Sequence, residues 1–188
     1  MDLFKYTAHE LHEKLVNKEI TAVELTNAVY DRIAAVDEQV NAYISLSKEE
    51  ALAKAAEVDA KIAAGEAIAP LAGIPVVFKD NINIYGQVTS CASKMLQGVE
   101  TVFDAHVTEE LRKEDAVFLG KANMAEFSIG NTTDNSFNGA VHNPWNLNCT
   151  TGGCATAAAV AAGEAIWALA SDTSGDLRQP AAYAGCVG

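Results

Sequence analysis

The segment 71–81 reads LAGIPVVFKDN, and it decides the fold class. Its first eight residues form a short apolar run rich in β-branched side chains, which stops at Lys79. Such a run is typical of a strand that is buried on both faces, as in a parallel sheet covered by helices. The segment therefore predicts a central strand whose carboxyl end carries a lysine.

Two later segments resemble this strand, and helical patterns lie between them. Residues 116–121 (AVFLGK) and 166–170 (IWALA) are predicted strands. A helix is expected after Asp104, capped by that side chain, and an Ala-rich helix at 157–165. Residues 123–126 are expected to begin another capped turn. Strands that alternate with helices predict an α/β fold in which helices flank the sheet.

The first third of the chain is predicted to be helical. Thr7, Thr21 and Ser47 are each followed three positions later by Glu, which is the spacing of a capping box. Gly65 is a natural stop for the third of these helices. We therefore expect residues 1–65 to form an N-terminal helical segment of the same domain as the α/β core at 66–188.

The composition is that of a folded, acidic protein. The 188 residues include 13 Lys plus Arg against 25 Asp plus Glu, a formal net charge of −12. Contact with RNA would therefore require a partner protein, because a chain that grips nucleic acid unaided needs a basic face. We find no signal sequence and no apolar run that would span a bilayer, so a cytoplasmic protein without a membrane role is expected. The four cysteines form no CxxC pair, and no metal site is expected.

Candidate chemistry lies at three polar segments, which are 79–81, 152–154 and 172–176. Active sites of open α/β sheets lie at the carboxyl ends of strands, where these segments are predicted to fall. Lys79 is open to two interpretations: a partly desolvated base, or a structural ion pair with Asp80. Gly152 and Gly153 precede a predicted helix and could offer backbone amides to an anion.

Motifs along the whole chain resemble the amidase signature family. They are Gly73–Val76 with Lys79–Asn81, Cys91–Met95, Gly120–Met124 with Glu126–Phe127, Asn143–Trp145, Ala157–Gly163, Asp172–Thr173 and Arg178–Ala182. The group within the family that they resemble most is the A subunit of the tRNA-dependent amidotransferases. The resemblance implies the amidase-signature fold, a mixed sheet flanked by helices. It covers only the N-terminal portion of the family domain, so the core is expected to be truncated.

The resemblance also implies a glutaminase site built on a Ser–cis-Ser–Lys arrangement. Lys79 matches the base, Cys154 the bridging serine and Asp176 the nucleophilic serine, while the backbone amides of Thr173, Ser174 and Gly175 match the oxyanion donors. Glutamine would be the substrate. The ammonia would pass to other amidotransferase subunits, which use ATP and Mg²⁺ and handle the aminoacyl-tRNA. No cofactor is implied for this chain itself.

The sequence departs from the family pattern at the catalytic positions. Residues 151–156 read TGGCAT, two residues shorter than the family segment, and residues 172–176 read DTSGD where the family ends in serine. An Asp176 carboxylate would place negative charge where an oxyanion must develop, and it is expected to pair with Lys79 and keep that lysine from acting as a base. We therefore expect impaired catalysis. The alternatives are a stand-alone amidase for small amides and a non-catalytic, truncated relative that acts only as an interaction module.

Overall fold

The computed structural model describes residues 2–188, and its centre is a four-stranded mixed sheet in the order β1-β3-β2-β6. The strands are β1 (Tyr43–Leu46), β2 (Pro75–Lys79), β3 (Val117–Ala122) and β6 (Trp167–Leu169). Strand β2 pairs in parallel with β3 and β6, and β1 is antiparallel to β3. This confirms the α/β class and all three predicted strands, but the prediction that residues 1–65 are helical is wrong at β1, which joins the main sheet by pairing with β3. A separate two-stranded sheet contains β4 (His142–Asn143) and β5 (Asn146–Thr150).

Six α-helices accompany the sheets in the described part of the chain. They are α1 (Ala8–Val16), α2 (Ala22–Val40), α3 (Lys48–Ala64), α4 (His106–Lys113), α5 (Thr156–Ala162) and α6 (Arg178–Ala184). Short 3-10 turns lie at Leu3–Lys5, Lys94–Leu96 and Glu126–Ser128. Within residues 2–188, none of the helices has the length and apolar character needed to cross a bilayer.

Two of the three predicted capping boxes are confirmed. The Thr7 and Thr21 hydroxyls accept from the amides of Glu10 and Glu24, whose carboxylates accept in return from the cap amides. Gly65 ends α3 in the left-handed conformation, as predicted. The predicted cap at Ser47 is wrong: its hydroxyl accepts from the Gln87 side-chain amide at 2.9 Å and makes no cap bond.

Two other predicted caps are also wrong, because tertiary contacts occupy the side chains. Asp104 does not cap α4, since its carboxylate accepts from the Tyr85 amide and from the Arg112 guanidinium. The turn at Glu126–Ser128 has no side-chain cap. Asn123, at the expected start of that turn, accepts instead from the Met124 amide and the Ser136 hydroxyl.

The two faces of β2 separate two apolar clusters. Val77 belongs to the larger cluster, which includes side chains of α1, α2, α3 and α5, and Phe78 belongs to a smaller one with Phe118 and Ile84. All five residues of β2 are buried, as expected of a strand covered on both sides. Gly120 permits a close crossing of β1, because a Cβ there would clash with the Ser45 carbonyl oxygen. The packing holds the carboxyl end of β2, and Lys79, inside the protein.

Candidate active site at the carboxyl edge of the sheet

Lys79 is fully buried and forms an ion pair with Asp176. Its Nζ lies 2.5 Å from Asp176 Oδ2, and neither side chain has solvent-exposed area. This confirms the ion pair predicted from the sequence. The loop after β6 brings Asp176 to this position because β2 and β6 are parallel neighbours, so that their carboxyl ends meet at one edge of the sheet.

The second oxygen of Asp176 accepts from backbone amides of its own loop. Asp176 Oδ1 lies 2.5 Å from the Thr173 amide nitrogen and 3.5 Å from that of Ser174. These are two of the three predicted oxyanion donors. The Asp176 carboxylate thus bridges Lys79 and the backbone amides of Thr173 and Ser174. Gly153 makes room for it, because a Cβ at Gly153 would lie 2.8 Å from Asp176 Cβ.

Gly175, the third predicted oxyanion donor, points to a different acceptor. Its amide donates to Asp172 Oδ1 at 2.6 Å. Asp172 also forms a two-point ion pair with Arg178, with Nε 2.8 Å from Oδ2 and Nη2 3.3 Å from Oδ1. The bond from Arg178 is the main reason that the pKa of Asp172 lies well below its usual range. Asp172 is therefore an ionised carboxylate that holds the loop in place through its bonds to Gly175 and Arg178.

Ser171 also binds Lys79, although no sequence motif indicated this residue. Lys79 Nζ donates to the Ser171 carbonyl at 3.0 Å and to its hydroxyl at 3.1 Å. With Asp176, the lysine has three acceptors, which is the number that an ammonium group satisfies. The Ser171 hydroxyl also accepts from the Asn81 side-chain amide at 2.8 Å. The available signal was its position directly after a predicted strand.

Cys154, at the bridging position, is buried in the same region. It lies opposite Met124 in an isolated antiparallel bridge just past the end of β3, and its Sγ is 3.1 Å from Thr156 Oγ1. Burial raises the pKa of the Cys154 thiol above its ordinary value. The segment 152–154 follows β5 of the small sheet in the chain, but it lies at the carboxyl edge of the main sheet as predicted, since Cys154 bridges to Met124 just past β3 and Gly153 packs against Asp176. The thiol is therefore a protonated packing group in this geometry.

We expect Cys154 to resist thiol reagents in the folded protein. Cys149 is exposed and Cys154 buried, so Ellman's reagent should modify Cys149 rapidly and Cys154 only after denaturation. Stopped-flow absorbance on Cys149→Ala and Cys154→Ala variants measures this, since only the first change should remove the fast phase. A fast phase in the Cys149→Ala protein that disappears in the Cys149→Ala/Cys154→Ala protein would show an accessible Cys154 instead, since the partly exposed Cys91 and Cys186 remain in both.

A second buried ion pair lies one strand away, between Lys121 and Asp80. Lys121 Nζ is 3.2 Å from Asp80 Oδ1 and donates to Thr89 Oγ1 at 2.9 Å. Burial lowers the pKa of Lys121. The other Asp80 oxygen accepts from the amide and hydroxyl of Ser90. The structural alternative for Lys79, a pair with Asp80, is therefore wrong, because Asp80 is bound to Lys121.

The site thus consists of a buried lysine at the end of a central parallel strand and an amide-lined loop after the neighbouring strand, the arrangement of an α/β protein that the amidase resemblance implied. The amidase family model matches residues 24–188 of this chain. The chain therefore belongs to the amidase family. Among residues 2–188, no group of three or more His, Cys, Asp or Glu side chains could hold a metal ion.

Individual relatives refine this family placement. The A subunit of the glutamyl-tRNA(Gln) amidotransferase of Desulforamulus reducens is 51% identical over 190 residues, which cover 100% of this chain and 39% of the relative. The corresponding protein of Thermotoga maritima superimposes with a TM-score of 0.78 at 35% identity, over 96% of this chain and 37% of that one. The peptide amidase of Stenotrophomonas maltophilia gives a TM-score of 0.87 at 34% identity, over 95% and 38%. The chain thus spans 39% of the length of such curated relatives.

Proposed function

We propose that this chain resembles the A subunit of a tRNA-dependent amidotransferase in role, but that its amidase site is occupied by its own Asp176 side chain and does not hydrolyse glutamine. One observation carries the proposal: the Asp176 carboxylate joins Lys79 to the amides of Thr173 and Ser174. The groups that would serve as base and oxyanion donors are thereby bound to an internal anion.

Amide hydrolysis at such a site requires three kinds of group, none of which may be bound to another partner. An uncharged amine must take the proton from a nucleophilic hydroxyl, that hydroxyl must attack the amide carbon, and amide donors must stabilise the resulting oxyanion. Here Lys79 is held by a carboxylate and by Ser171, and Asp176 supplies no hydroxyl. A second negative charge beside the Asp176 carboxylate would be repelled strongly, because the site is buried and its effective dielectric constant is low. The geometry therefore favours a closed site.

Cys154 is a poor substitute nucleophile. Attack requires the thiolate, and burial raises the pKa of this thiol. Its hydrogen-bond partner is the hydroxyl of Thr156, which is not a base. Thiol catalysis is therefore not part of the proposal.

Sequence identity supports the amidotransferase lineage over a stand-alone amidase. Curated relatives named as amidotransferase A subunits reach 51% identity over the whole chain, whereas the solved structures of an amidotransferase A subunit and of a peptide amidase are equally similar in sequence, at 35% and 34%. If the role of the lineage is kept, the partners are other amidotransferase subunits in the cytoplasm, and aminoacyl-tRNA is contacted only through them. The net charge of −12 is consistent with leaving the RNA to a partner. The Lys79 site would then be a structural relic inside an interaction module.

The purified chain should release no ammonia from glutamine above background, with or without partner subunits. A coupled glutamate dehydrogenase assay measures this, and the Lys79→Ala variant is the matched control. Equal background rates for both proteins are expected, because the lysine is not available as a base. A glutaminase rate that Lys79→Ala abolishes would contradict the proposal.

Asp176→Ser alone should also fail to restore glutamine hydrolysis. The change supplies a hydroxyl and frees Lys79, but Cys154 still stands where the family has its bridging serine, in a segment two residues shorter. The same ammonia assay applies, with Asp176→Ser/Cys154→Ser as a second variant. Activity in the single variant would show that the Asp176 carboxylate is the sole block.

The alternative function is a stand-alone amidase for small amides. The structural similarity to the peptide amidase favours it. The two functions differ in association, because an amidotransferase component binds partner subunits and a stand-alone amidase does not. Size-exclusion chromatography with those partners, together with a screen of small primary amides, separates them.

A further inference from the structure

Arg32 lies on α2, and two contacts hold its side chain in a fixed orientation. Its Nε donates to the Ala162 carbonyl at the end of α5, with an N···O distance of 2.7 Å. Its guanidinium carbon lies over the Phe4 ring, 5.2 Å from the ring centroid. These two contacts use one of the five N–H groups and one face of the guanidinium plane, which leaves the terminal nitrogens for another partner.

Among the described residues, Arg32 differs from the other two arginines in having no carboxylate partner. Arg112 forms a two-point pair with Asp104, and Arg178 does so with Asp172. Within residues 2–188, no carboxylate lies within ion-pair distance of Arg32, although the chain contains 25 acidic residues. An arginine fork that is positioned but unpaired matches the geometry of a carboxylate or phosphate.

A cavity of about 390 Å³ opens beside this guanidinium. Its walls include Phe4, Lys5, Pro144, Trp145 and the segment 160–163. The volume lies within the range of small-molecule pockets. Trp145 is 73% exposed, yet its backbone amide and its indole N–H both donate hydrogen bonds, to Asn143 Oδ1 at 3.0 Å and to the Ala184 carbonyl at 2.8 Å. A fixed, exposed indole offers a flat surface for stacking.

The acidic side chains near Arg32 neutralise little of its positive charge. Asp2 and Glu164 lie within electrostatic range of it. Asp2 is bound to Lys5, with an Oδ2–Nζ distance of 2.6 Å. Burial, and then the nearby Asp37, raise the pKa of Glu164 to about 9, so that this group is uncharged at neutral pH. An external anion in the cavity would therefore meet Arg32 without an internal competitor.

We propose that this cavity binds a small planar anion, with the phosphate or carboxylate on the Arg32 guanidinium and the ring against Trp145. Its lining shares no residue with the Lys79–Asp176 site, so the proposal stands independently of the proposed function. An uncharged planar ring would contact only Trp145, and an anion without a ring would contact only Arg32.

Isothermal titration calorimetry with three probes tests the proposal on the full chain. AMP carries both a ring and a phosphate, adenosine only the ring, and ribose 5-phosphate only the phosphate. We expect AMP to bind most tightly and to weaken as salt is raised, because the phosphate contact is electrostatic. Arg32→Gln should weaken AMP binding by about tenfold or more, as expected for the loss of a charge-assisted hydrogen-bond pair.

Two further variants make the result decisive. Arg112→Gln removes an arginine outside the cavity and should leave AMP binding unchanged. Trp145→Ala should weaken AMP binding but leave the weaker binding of ribose 5-phosphate unaffected, which also serves if Arg32→Gln does not fold. Equal binding of AMP by the parent, Arg32→Gln and Trp145→Ala proteins would overturn the proposal, as would no binding of AMP at millimolar concentration.

Discussion

Asp176→Asn is expected to lower the free energy of unfolding by about 3–5 kcal/mol, the cost of removing one partner from a buried ion pair. The change leaves the Lys79 ammonium without its counter-charge in a position with no exposed area. The asparagine oxygen still accepts from the Thr173 amide, so the loop itself is conserved. Urea denaturation followed by far-UV circular dichroism at pH 7 measures the loss.

The double variant Lys79→Met/Asp176→Asn distinguishes the ion pair from general packing. Removing both charges should recover about 1–3 kcal/mol relative to the sum of the single changes, since neither side chain is then left charged and unpaired. Lys113→Met is a suitable exposed control, because its pair with Glu110 on α4 lies at the surface and contributes little. Additive effects of the Lys79 and Asp176 changes would refute a coupled pair.

Glu164→Gln is expected to make the protein more stable at neutral and alkaline pH. Glu164 is fully buried, and its pKa is raised to about 9 from an ordinary 4.5. A carboxyl whose folded-state pKa lies above its unfolded value favours folding fully below pH 4.5 and progressively less as the pH rises towards 9. The loss is about 1.4 kcal/mol per pH unit, or roughly 3 kcal/mol by pH 7.

The prediction concerns how steeply the free energy of unfolding changes with pH, so it is measured over a series of pH values. Urea unfolding at pH 5, 6, 7 and 8 should show the parent losing stability relative to Glu164→Gln, because glutamine does not titrate. Glu38→Gln removes the same charge from the exposed side of α2 and should leave the slope of the parent unchanged. Parallel curves for the parent and Glu164→Gln would mean that Glu164 is ionised in the folded protein.

Both predictions concern charges that the fold keeps away from water. The family resemblance assigns a base to the Lys79 position, and here the lysine is bound to a carboxylate at the nucleophile position. An aspartate in place of a serine turns a neutral hydroxyl into an anion, and the nearest cation then becomes its partner. In the proposed function, this one substitution both removes the nucleophile and binds the base.

The sequence predicted the fold class because local patterns carry that information. Apolar runs that end in polar residues marked β2, β3 and β6, and Thr-x-x-Glu spacing marked the starts of α1 and α2. The family motifs then related Lys79 to Asp176 across 97 positions, and the pair is present. The caps assigned to Ser47 and Asp104 failed because a side chain that suits a local cap is equally able to bond a group farther along the chain, here Gln87 and Tyr85.

The sequence by itself thus determined strands β2, β3 and β6, the starts of α1 and α2, and which residues the family resemblance assigns to catalytic positions, whereas β1 lay in a segment predicted to be helical. Only the tertiary structure decided which atoms they bind: Ser171 on Lys79, the Thr173 and Ser174 amides on Asp176, and Lys121 on Asp80. Arg32 belongs to the same group, since its bond to Ala162 joins residues 130 positions apart. The physical reason is that periodicity and capping act over a few residues. Buried polar atoms, in contrast, bond to whichever donor or acceptor the packed sheet and helices place within about 3 Å.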